Sequence, residues 1–170
     1  KRTRFPVLDP CPRNQQLTSP WTASVEQHQE RVYVGFGGRE GRFILHPGQM
    51  ALGSTLEYVK LPPDLRADVV GRSSLGRLGL TIATATAVDP GFAGTITLEL
   101  VNHGEVPIVL YPGQRIARLL FREVPPGGTP YMQKRGSKYR CPVAPEFSKV
   151  FDDHDWTERY FGGGAEREGQ

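Results

Sequence analysis

The sequence predicts an all-β fold with one short helix, and two features of it carry that prediction. The chain has 170 residues, among them 20 glycines and 15 prolines, or about one chain breaker in five residues. Such a density excludes a helical bundle or a coiled coil and favours short strands joined by tight turns. Several segments are also rich in β-branched and aromatic residues and end at Gly or Pro. The length suits a single domain over residues 1–170.

The first strands are expected between residues 31 and 61. Residues 1–30 are interrupted by prolines and are expected to be irregular. Residues 31–36 and 42–46 have strand composition, and each is closed by a Gly-Gly or Pro-Gly pair. Residues 49–61 have room for a third strand and for a fourth.

The middle of the chain combines one short helix with strands on either side. Residues 67–70 form a short predicted strand that runs into Gly71. Residues 73–79 begin with two serines, which are good helix N-caps, and end at a glycine, enough for about two helical turns. Residues 95–101 alternate with a period of two, so their apolar residues face one way and Glu99 faces the other.

The C-terminal tail, residues 141–170, ends in a glycine-rich and charged stretch that is expected to be mobile. Its acidic run at 152–156 has metal-binding residue types. Neighbouring residues on one strand or loop seldom converge on a metal ion, however. A solvated surface or a packed tail is therefore the favoured interpretation of this run.

Two stretches share a turn motif, ILHPGQM at 44–50 and VLYPGQR at 109–115. Pro presets φ at the second position of a turn and Gly tolerates positive φ at the third, so both are predicted to be type II turns. We interpret the similarity as reuse of a favourable turn rather than as an internal repeat, because no other segment repeats.

Charge and cysteine content limit the function classes. Lys and Arg number 21 and Asp and Glu 18, a net charge of +3, which argues against a dedicated nucleic-acid surface. No apolar run is long enough to span a membrane, and no signal peptide opens the chain. Cys11 and Cys141 lack metal-ligand spacing, so we expect two reduced thiols in a cytoplasmic protein.

Three constellations have residue types that suit chemistry. The stretch 71–77, GRSSLGR, combines a helix start with two serines and two arginines, which suits phosphate oxygens, although an ordinary capped helix is the alternative. Glu99 is predicted mid-strand, where a partly desolvated carboxylate acts as a general base and a solvated one does not. Asp89 opens an Asp-Pro-Gly turn, where it either satisfies the turn backbone or meets a sugar hydroxyl.

Four stretches, taken in order, resemble the dCTP deaminase branch of the dUTPase-like superfamily. They are GRSSLGRLGL at 71–80, DPGFAG at 89–94, TLELVN at 97–102 and PIVLYPGQRI at 107–116, and flanking motifs extend the match to residues 42–140. The resemblance implies a distorted β-barrel or jelly roll that assembles as a homotrimer with active sites at subunit interfaces. It also implies hydrolytic deamination of dCTP to dUTP and ammonia, with no metal in catalysis and with Mg²⁺ accompanying the triphosphate.

The resemblance also implies roles for individual residues. Glu99 is implied to be the general base that activates water for attack at C4 of cytosine. Asp89 is implied to meet the deoxyribose, and Thr97 and Leu98 to flank the base. The remaining implied substrate-binding residues hold the phosphates, help to build the site or close over the nucleotide, and they are Arg72, Ser73, Ser74, Arg77, Thr84, Ala85, Tyr131 and Lys138.

The chain departs from the family pattern at three places, one of which is the family's N-terminal strand motif, not recognisable in residues 1–40. Between Leu80 and Asp89 it is one residue shorter and has Ala83 where a histidine is expected, and Pro142 stands where a glutamine is usual. Two alternatives therefore stay open, a dUTPase-type nucleotide diphosphatase, bifunctional or not, and a non-catalytic nucleotide-binding regulator on the same scaffold. Glu99 favours the deaminase, because plain dUTPases usually carry an apolar residue there.

Overall fold

The structure, a computed structural model, describes Val34 and residues 41–82, 85–125 and 127–150. Within these residues the chain forms short strands, one α-helix and one 3₁₀-helix. The all-β class with a short helix is therefore confirmed. The strands are β1 (Phe43–Leu45), β2 (Met50–Lys60), β3 (Leu65–Gly71), β4 (Leu80–Ile82), β5 (Ala87–Val88), β6 (Ala93–Asn102), β7 (Ile108–Leu110) and β8 (Ala117–Glu123). The helix α1 is Ser73–Gly76, and the 3₁₀-helix is Tyr131–Gln133.

The described strands pair in three antiparallel sheets. One sheet has the order β2-β6-β4, a second has the order β5-β3-β8, and β1 pairs with β7. Sheets of this size are stable only when one face is buried against other elements. The central strands β3 and β6 supply that buried face.

The strand β6 shows how the sequence pattern builds the core. Ile96, Leu98 and Leu100 are buried, whereas Thr97 and Glu99 on the opposite face are half-buried. This is the period-two alternation predicted for residues 95–101. Each buried aliphatic side chain contributes about 1.5–3 kcal/mol relative to an exposed one, so the register of β6 is strongly fixed.

Both predicted type II turns are present. Gly48 has φ +74°, and Gln49 N donates to His46 O at 3.1 Å. Gly113 has φ +79°, and Gln114 N donates to Tyr111 O at 3.0 Å. The two motifs also lie side by side, because the strands that precede them, β1 and β7, pair with each other.

Three elements differ from the sequence prediction. The segment predicted as one or two strands at 49–61 is the single strand β2, with a register shift against β6 between Ser54 and Tyr58. Helix α1 has four residues rather than two full turns. Strand β8 is not predicted by the sequence, and it forms by pairing along the whole length of β3.

Some predictions concern residues that the structure does not describe. They are the irregular segment 1–30, the strand at 31–36 apart from Val34, and the acidic run at 152–156 with the rest of the tail beyond residue 150. In the described part of the chain, every helix is too short or too polar to cross a lipid bilayer.

Candidate functional site

Glu99 lies at the centre of a half-buried sheet face. The register sets Glu99 opposite Leu52 and Thr97 opposite Ser54 of β2. Residues directly opposite each other in an antiparallel pair have Cβ atoms about 4.5–5.5 Å apart. The carboxylate therefore has an apolar neighbour that shields it from water and hydroxyl groups nearby that can bind a polar ligand.

Leu98 faces away from Glu99. Its side chain is 4% exposed and packs in the core with Ile96 and Leu100. A ligand beside Glu99 can therefore meet residue 98 only through its backbone, and the implied contact of Leu98 with a base cannot come from the side chain.

The arginine–serine corner, residues 72–77, follows the end of β3. Arg72 N donates to Ile116 O at 3.0 Å, and Arg72 Nη1 donates to Arg115 O at 3.2 Å. Leu75 is buried and anchors the single turn of α1 in the core. The corner is thus held by its backbone, by the Arg72 guanidinium group and by one apolar residue, and its polar side chains are exposed.

The two serines do not cap the helix. Arg72 is the N-cap residue, and α1 has no capping hydrogen bond from a side chain. The predicted capping role of Ser73 and Ser74 is therefore wrong, and their exposed hydroxyls can donate to a ligand instead. Arg77 is likewise exposed at the other end of the helix.

Asp89 occupies the first position of a turn, as predicted. Phe92 N donates to Asp89 O at 3.1 Å, and Gly91 has φ +76°. The side chain of Asp89 does not satisfy this turn. Its Oδ2 instead accepts a hydrogen bond from Lys134 Nζ at 2.9 Å. Of the two predicted alternatives, satisfaction of the turn backbone by the carboxylate is excluded.

Tyr131 packs against the same turn. Its ring centroid lies 5.7 Å from that of Phe92, and Tyr131 N donates to Pro90 O at 2.7 Å. The phenol oxygen accepts a hydrogen bond from Tyr139 N at 3.1 Å. Burial raises the pKa of Tyr131 above its ordinary value, so the phenol stays neutral near physiological pH.

Pro142 docks the C-terminal segment, residues 130–150, onto β6. It is buried, and its carbonyl accepts hydrogen bonds from Thr95 N at 2.7 Å and from Thr95 Oγ1 at 3.1 Å. The proline that replaces the family's usual glutamine therefore has a packing role. The preceding Cys141 is disulfide-bonded, so the expectation of a reduced thiol is wrong for this residue, while Cys11 lies outside the described residues.

Lys138 is half-buried in the C-terminal segment. Its carbonyl accepts a hydrogen bond from Lys149 Nζ at 3.0 Å, and Lys149 N donates to Tyr139 Oη at 3.0 Å. Of the implied pair near residue 84, Ala85 is exposed and Thr84 lies outside the described residues. The described residues place no three His, Cys, Asp or Glu side chains together where they would hold a metal ion.

The structure brings these residues together in two groups. One group joins Asp89, Tyr131 and Lys134 beside the Ala93 end of β6, and the other is the arginine–serine corner. Strand β3 separates them, because Ala67 pairs with Val88 while the corner begins after Gly71. Five or six residues of strand amount to about 20 Å, so the two groups lie apart at opposite ends of β3.

Two residues that sequence reasoning missed are prominent in this region. Lys134 gave no sequence signal, since it is one cation in a basic stretch. Asn102 did give a signal, because it is a polar residue in phase with the buried side chains of β6. It is 0% exposed and hydrogen-bonds Leu45 O and Val106 O, each at 2.9 Å.

Comparison with known proteins gives consistent matches. A family model described as dCTP deaminase-like matches residues 18–124. A relative from Natronomonas pharaonis named dCTP deaminase is 47% identical over 134 residues, covering 78% of this chain and 67% of that protein. A relative from Dictyoglomus turgidum named dCTP deaminase, dUMP-forming, is 55% identical over 114 residues, covering 65% of this chain and 59% of that protein.

Among solved structures, the 2′-deoxycytidine 5′-triphosphate deaminase from Agrobacterium tumefaciens is 27% identical, with a TM-score of 0.46 over 52% of this chain and 28% of that chain. This chain spans between 59% and 67% of the length of the two curated relatives described above.

Proposed function

The chain belongs to the dCTP deaminase-like family, and from that premise we propose that it hydrolyses dCTP to dUTP and ammonia. The observation that carries the proposal is the position of Glu99. It is a carboxylate on the half-buried face of β6, opposite Leu52 and on the same face as Thr97, on a strand whose other face is buried in the core. A general base needs this combination of partial shielding and fixed position.

The proposed reaction uses Glu99 twice. Glu99 first removes a proton from a water molecule, whose oxygen bonds to C4 of cytosine while the C4–N3 π electrons move to N3, and the carboxylic acid gives that proton to N3. Glu99 then takes the remaining proton from the new C4 hydroxyl and gives it to the exocyclic nitrogen, the C4–N bond breaks, C4=O forms, and ammonia leaves. One carboxylate suffices because it passes on both protons of the water molecule, one to N3 and one to the leaving nitrogen.

The other residues bind the parts of the nucleotide that do not react. The exposed guanidinium groups of Arg72 and Arg77 and the hydroxyls of Ser73 and Ser74 suit the oxygens of the triphosphate, which carries Mg²⁺ with it as part of the substrate. Asp89 suits the sugar hydroxyl. Tyr131 and Lys138 belong to the C-terminal segment that covers the nucleotide. Phosphate contacts of this kind supply binding energy remote from the reacting bond.

We further propose that each active site is shared between protomers of a homotrimer. In one protomer the arginine–serine corner and the Asp89 group lie at opposite ends of β3, about 20 Å apart by strand geometry. Glu99 belongs to neither group, because it lies on strand β6. A nucleotide can contact both groups when the corner of one protomer meets the Asp89 group of another.

A second candidate function is the further hydrolysis of dUTP to dUMP and pyrophosphate. It is favoured by the relative from Dictyoglomus turgidum, whose name specifies dUMP formation. In that reaction the Asp89 carboxylate would orient a water molecule toward the α-phosphorus. The deamination step is common to both candidates.

Chromatography of nucleotides after incubation of the protein with dCTP and Mg²⁺ tests the proposal. We expect dUTP with an equal amount of ammonia, and dUMP with pyrophosphate supports the second candidate. Recovery of unchanged dCTP together with saturable dCTP binding would instead support the non-catalytic regulator.

Replacement of the proposed base tests the mechanism. Glu99→Gln keeps the size of the side chain but cannot accept the proton, so we expect ammonia release to fall by at least about 10²-fold with nucleotide affinity retained. Thr81→Ala, on the exposed side of β4, is the matched control. Ammonia release by Glu99→Gln at the wild-type rate would remove Glu99 from the mechanism.

Mixing two inactive variants tests the shared site. Suppose that each site takes Glu99 from one protomer and Arg77 from another. A trimer reassembled from Glu99→Gln and Arg77→Ala protomers then contains some sites in which both residues are intact. We expect the mixture to recover part of the activity that each variant lacks. Activity equal to the sum of the separate variants would mean that each site is built within one chain.

A further inference from the structure

We propose that Lys134 is a positioning residue that orients the Asp89 carboxylate toward the sugar hydroxyl of the nucleotide. The inference rests on the proposed function, because it concerns the same site. It adds a residue that neither the sequence motifs nor the comparisons assign, and it gives that residue a measurable effect on recognition of the sugar.

The ion pair between Lys134 and Asp89 joins two residues whose backbones are both held by hydrogen bonds. Lys134 Nζ lies 2.9 Å from Asp89 Oδ2. The backbone of Lys134 is held at the end of the 3₁₀-helix, where its N–H donates to Pro130 O at 3.1 Å. Its carbonyl accepts a hydrogen bond from Arg140 Nη2 at 2.6 Å. The ammonium group is therefore supplied by an ordered segment rather than by a loose surface chain.

The turn that carries Asp89 is tied to the same segment. Tyr131 N donates to Pro90 O, and the rings of Tyr131 and Phe92 are in contact. A Cβ on Gly91 would lie 2.5 Å from Pro130 Cβ, which shows how closely the two backbones approach. Lys134 thus reaches Asp89 across a packed interface, and the pair cannot re-form elsewhere without undocking that interface.

Orientation, rather than stability, is what the pair contributes. The two side chains are 47% and 43% exposed, and ion pairs of that exposure stabilise a fold by at most about 1 kcal/mol. Without a partner, the carboxylate of a turn residue rotates about χ1 and χ2. With Oδ2 held by the ammonium group, Oδ1 is presented in one direction, where it can accept from a hydroxyl.

Charge adds a second reason for the pair. The substrate is a polyanion, and an unneutralised Asp89 beside it would repel the phosphates. The Lys134 ammonium group offsets this charge at 2.9 Å, so the carboxylate can serve as a hydrogen-bond acceptor close to an anionic ligand.

The sugar of dCTP offers one free hydroxyl, at C3′, and this makes a direct test possible. The full chain and its Lys134→Met variant are assayed for the KM of dCTP and for inhibition by 2′,3′-dideoxy-CTP, which lacks that hydroxyl. We expect Lys134→Met to raise the KM of dCTP about three- to five-fold, the scale of an exposed charged contact, with kcat nearly unchanged. The inhibition constant of the dideoxy analogue should rise less than the KM of dCTP, because the analogue keeps the triphosphate and lacks only the hydroxyl.

Two further variants separate positioning from general charge. Lys134→Arg keeps a cation within reach of Asp89 and should restore the KM. Arg135→Met removes the neighbouring charge, and no side-chain contact of Arg135 is seen among the described residues, so it should leave both constants unchanged. Equal increases for dCTP and the dideoxy analogue, or no increase for either, would overturn the inference.

A failure of the Lys134 inference can also be told apart from a failure of the proposed function. If the wild-type protein released no ammonia from dCTP, the proposed function would fail. Calorimetric titration of dCTP and its dideoxy analogue into the wild-type protein and Lys134→Met would then still measure the coupling between Lys134 and the 3′-hydroxyl. A coupling absent from that titration would sink the inference by itself.

Discussion

The two ends of strand β6 are built in different ways. At the Asn102 end, a fully buried amide donates to Leu45 O and Val106 O and accepts from Gly104 N, each at 2.9 Å. At the Ala93 end, the contacts come from the C-terminal segment, through Pro142 on Thr95 and Tyr131 on the Asp89 turn. One end is part of the core, and the other is completed by a segment docked on the surface.

This difference separates stability from function along a single strand. Loss of a contact at the Asn102 end leaves polar groups buried without partners, which weakens the whole fold. Loss of a contact at the Ala93 end undocks a segment whose polar groups can be solvated. Glu99 lies between the two ends, and its buried neighbours Leu98 and Leu100 fix its position along the strand.

The largest expected effect follows from breaking the Asn102 end. Asn102→Ala removes one acceptor and two donor bonds from a site that is 0% exposed, and we expect a loss of about 2–4 kcal/mol in the free energy of unfolding. Urea denaturation followed by far-UV circular dichroism measures this loss.

Asn102→Asp sharpens the same test. It keeps an oxygen for Gly104 N but cannot donate to Leu45 O and Val106 O, so it should also be strongly destabilising. Thr81→Ala on the neighbouring strand should change the unfolding free energy by at most about 0.5 kcal/mol. If Asn102→Ala were as stable as Thr81→Ala, the proposed contrast between the two ends of β6 would be contradicted.

An intermediate effect is expected from Gly94→Ala at the opposite end. Gly94 has φ +149°, and a Cβ there would lie 2.4 Å from Pro142 Cδ. We expect the C-terminal segment to undock at a cost of about 1–3 kcal/mol, because overpacking and backbone strain both oppose the native contact. Limited proteolysis should cleave residues 137–150 faster than in the wild-type protein.

Gly76→Ala is the matched control for this variant. A Cβ on Gly76 meets nothing within 4 Å, and the residue has a helical environment in which Ala is favoured over Gly. Its proteolysis pattern should equal that of the wild type. Uniform cleavage across the domain in Gly94→Ala would show that the C-terminal segment does not undock as a separate unit.

Local patterns predicted the parts of the fold that short stretches of sequence determine. The Pro-Gly turns after His46 and Tyr111 and the alternation of β6 depend on φ preferences and on burial of one face, and both are confirmed. The sequence predicts a longer α1, because it extends the helix to Gly79, whereas the chain leaves the helix after Gly76.

Long-range features had no local signal. Strand β8 is largely exposed and alternates in burial only over its first four residues, and it forms because β3 offers a complete row of pairing partners. The ion pair between Lys134 and Asp89 joins residues 45 positions apart. Residue types alone point to Glu99, Asp89 and the stretch 71–77 as candidates, and the resemblance implies their roles and the remaining site residues.

The smallest expected effect concerns Tyr131, which sits where the C-terminal segment meets the Asp89 turn. Its pKa is raised above 10.0 mainly by burial, with further increases from Tyr139 and Asp89, against the backbone hydrogen bond from Tyr139 N. The neutral phenol is therefore favoured in the folded state. This contribution to stability is complete below pH 10 and is lost as the pH rises through the folded-state pKa.

Tyr131→Phe removes the phenol hydroxyl and its hydrogen bond with Tyr139 N, and we expect it to lower the free energy of unfolding by about 0.5–1.5 kcal/mol near neutral pH. It also removes the loss of stability that this phenol causes above pH 10. The difference in phenolate absorbance between wild type and variant should therefore titrate at higher pH than a tyrosine model compound. Tyr111→Phe, on an exposed ring, controls for the general effect of removing a hydroxyl. A difference curve that coincides with the model compound would mean that the C-terminal segment leaves Tyr131 open to water, and the docked end of β6 would then be much looser than its contacts indicate.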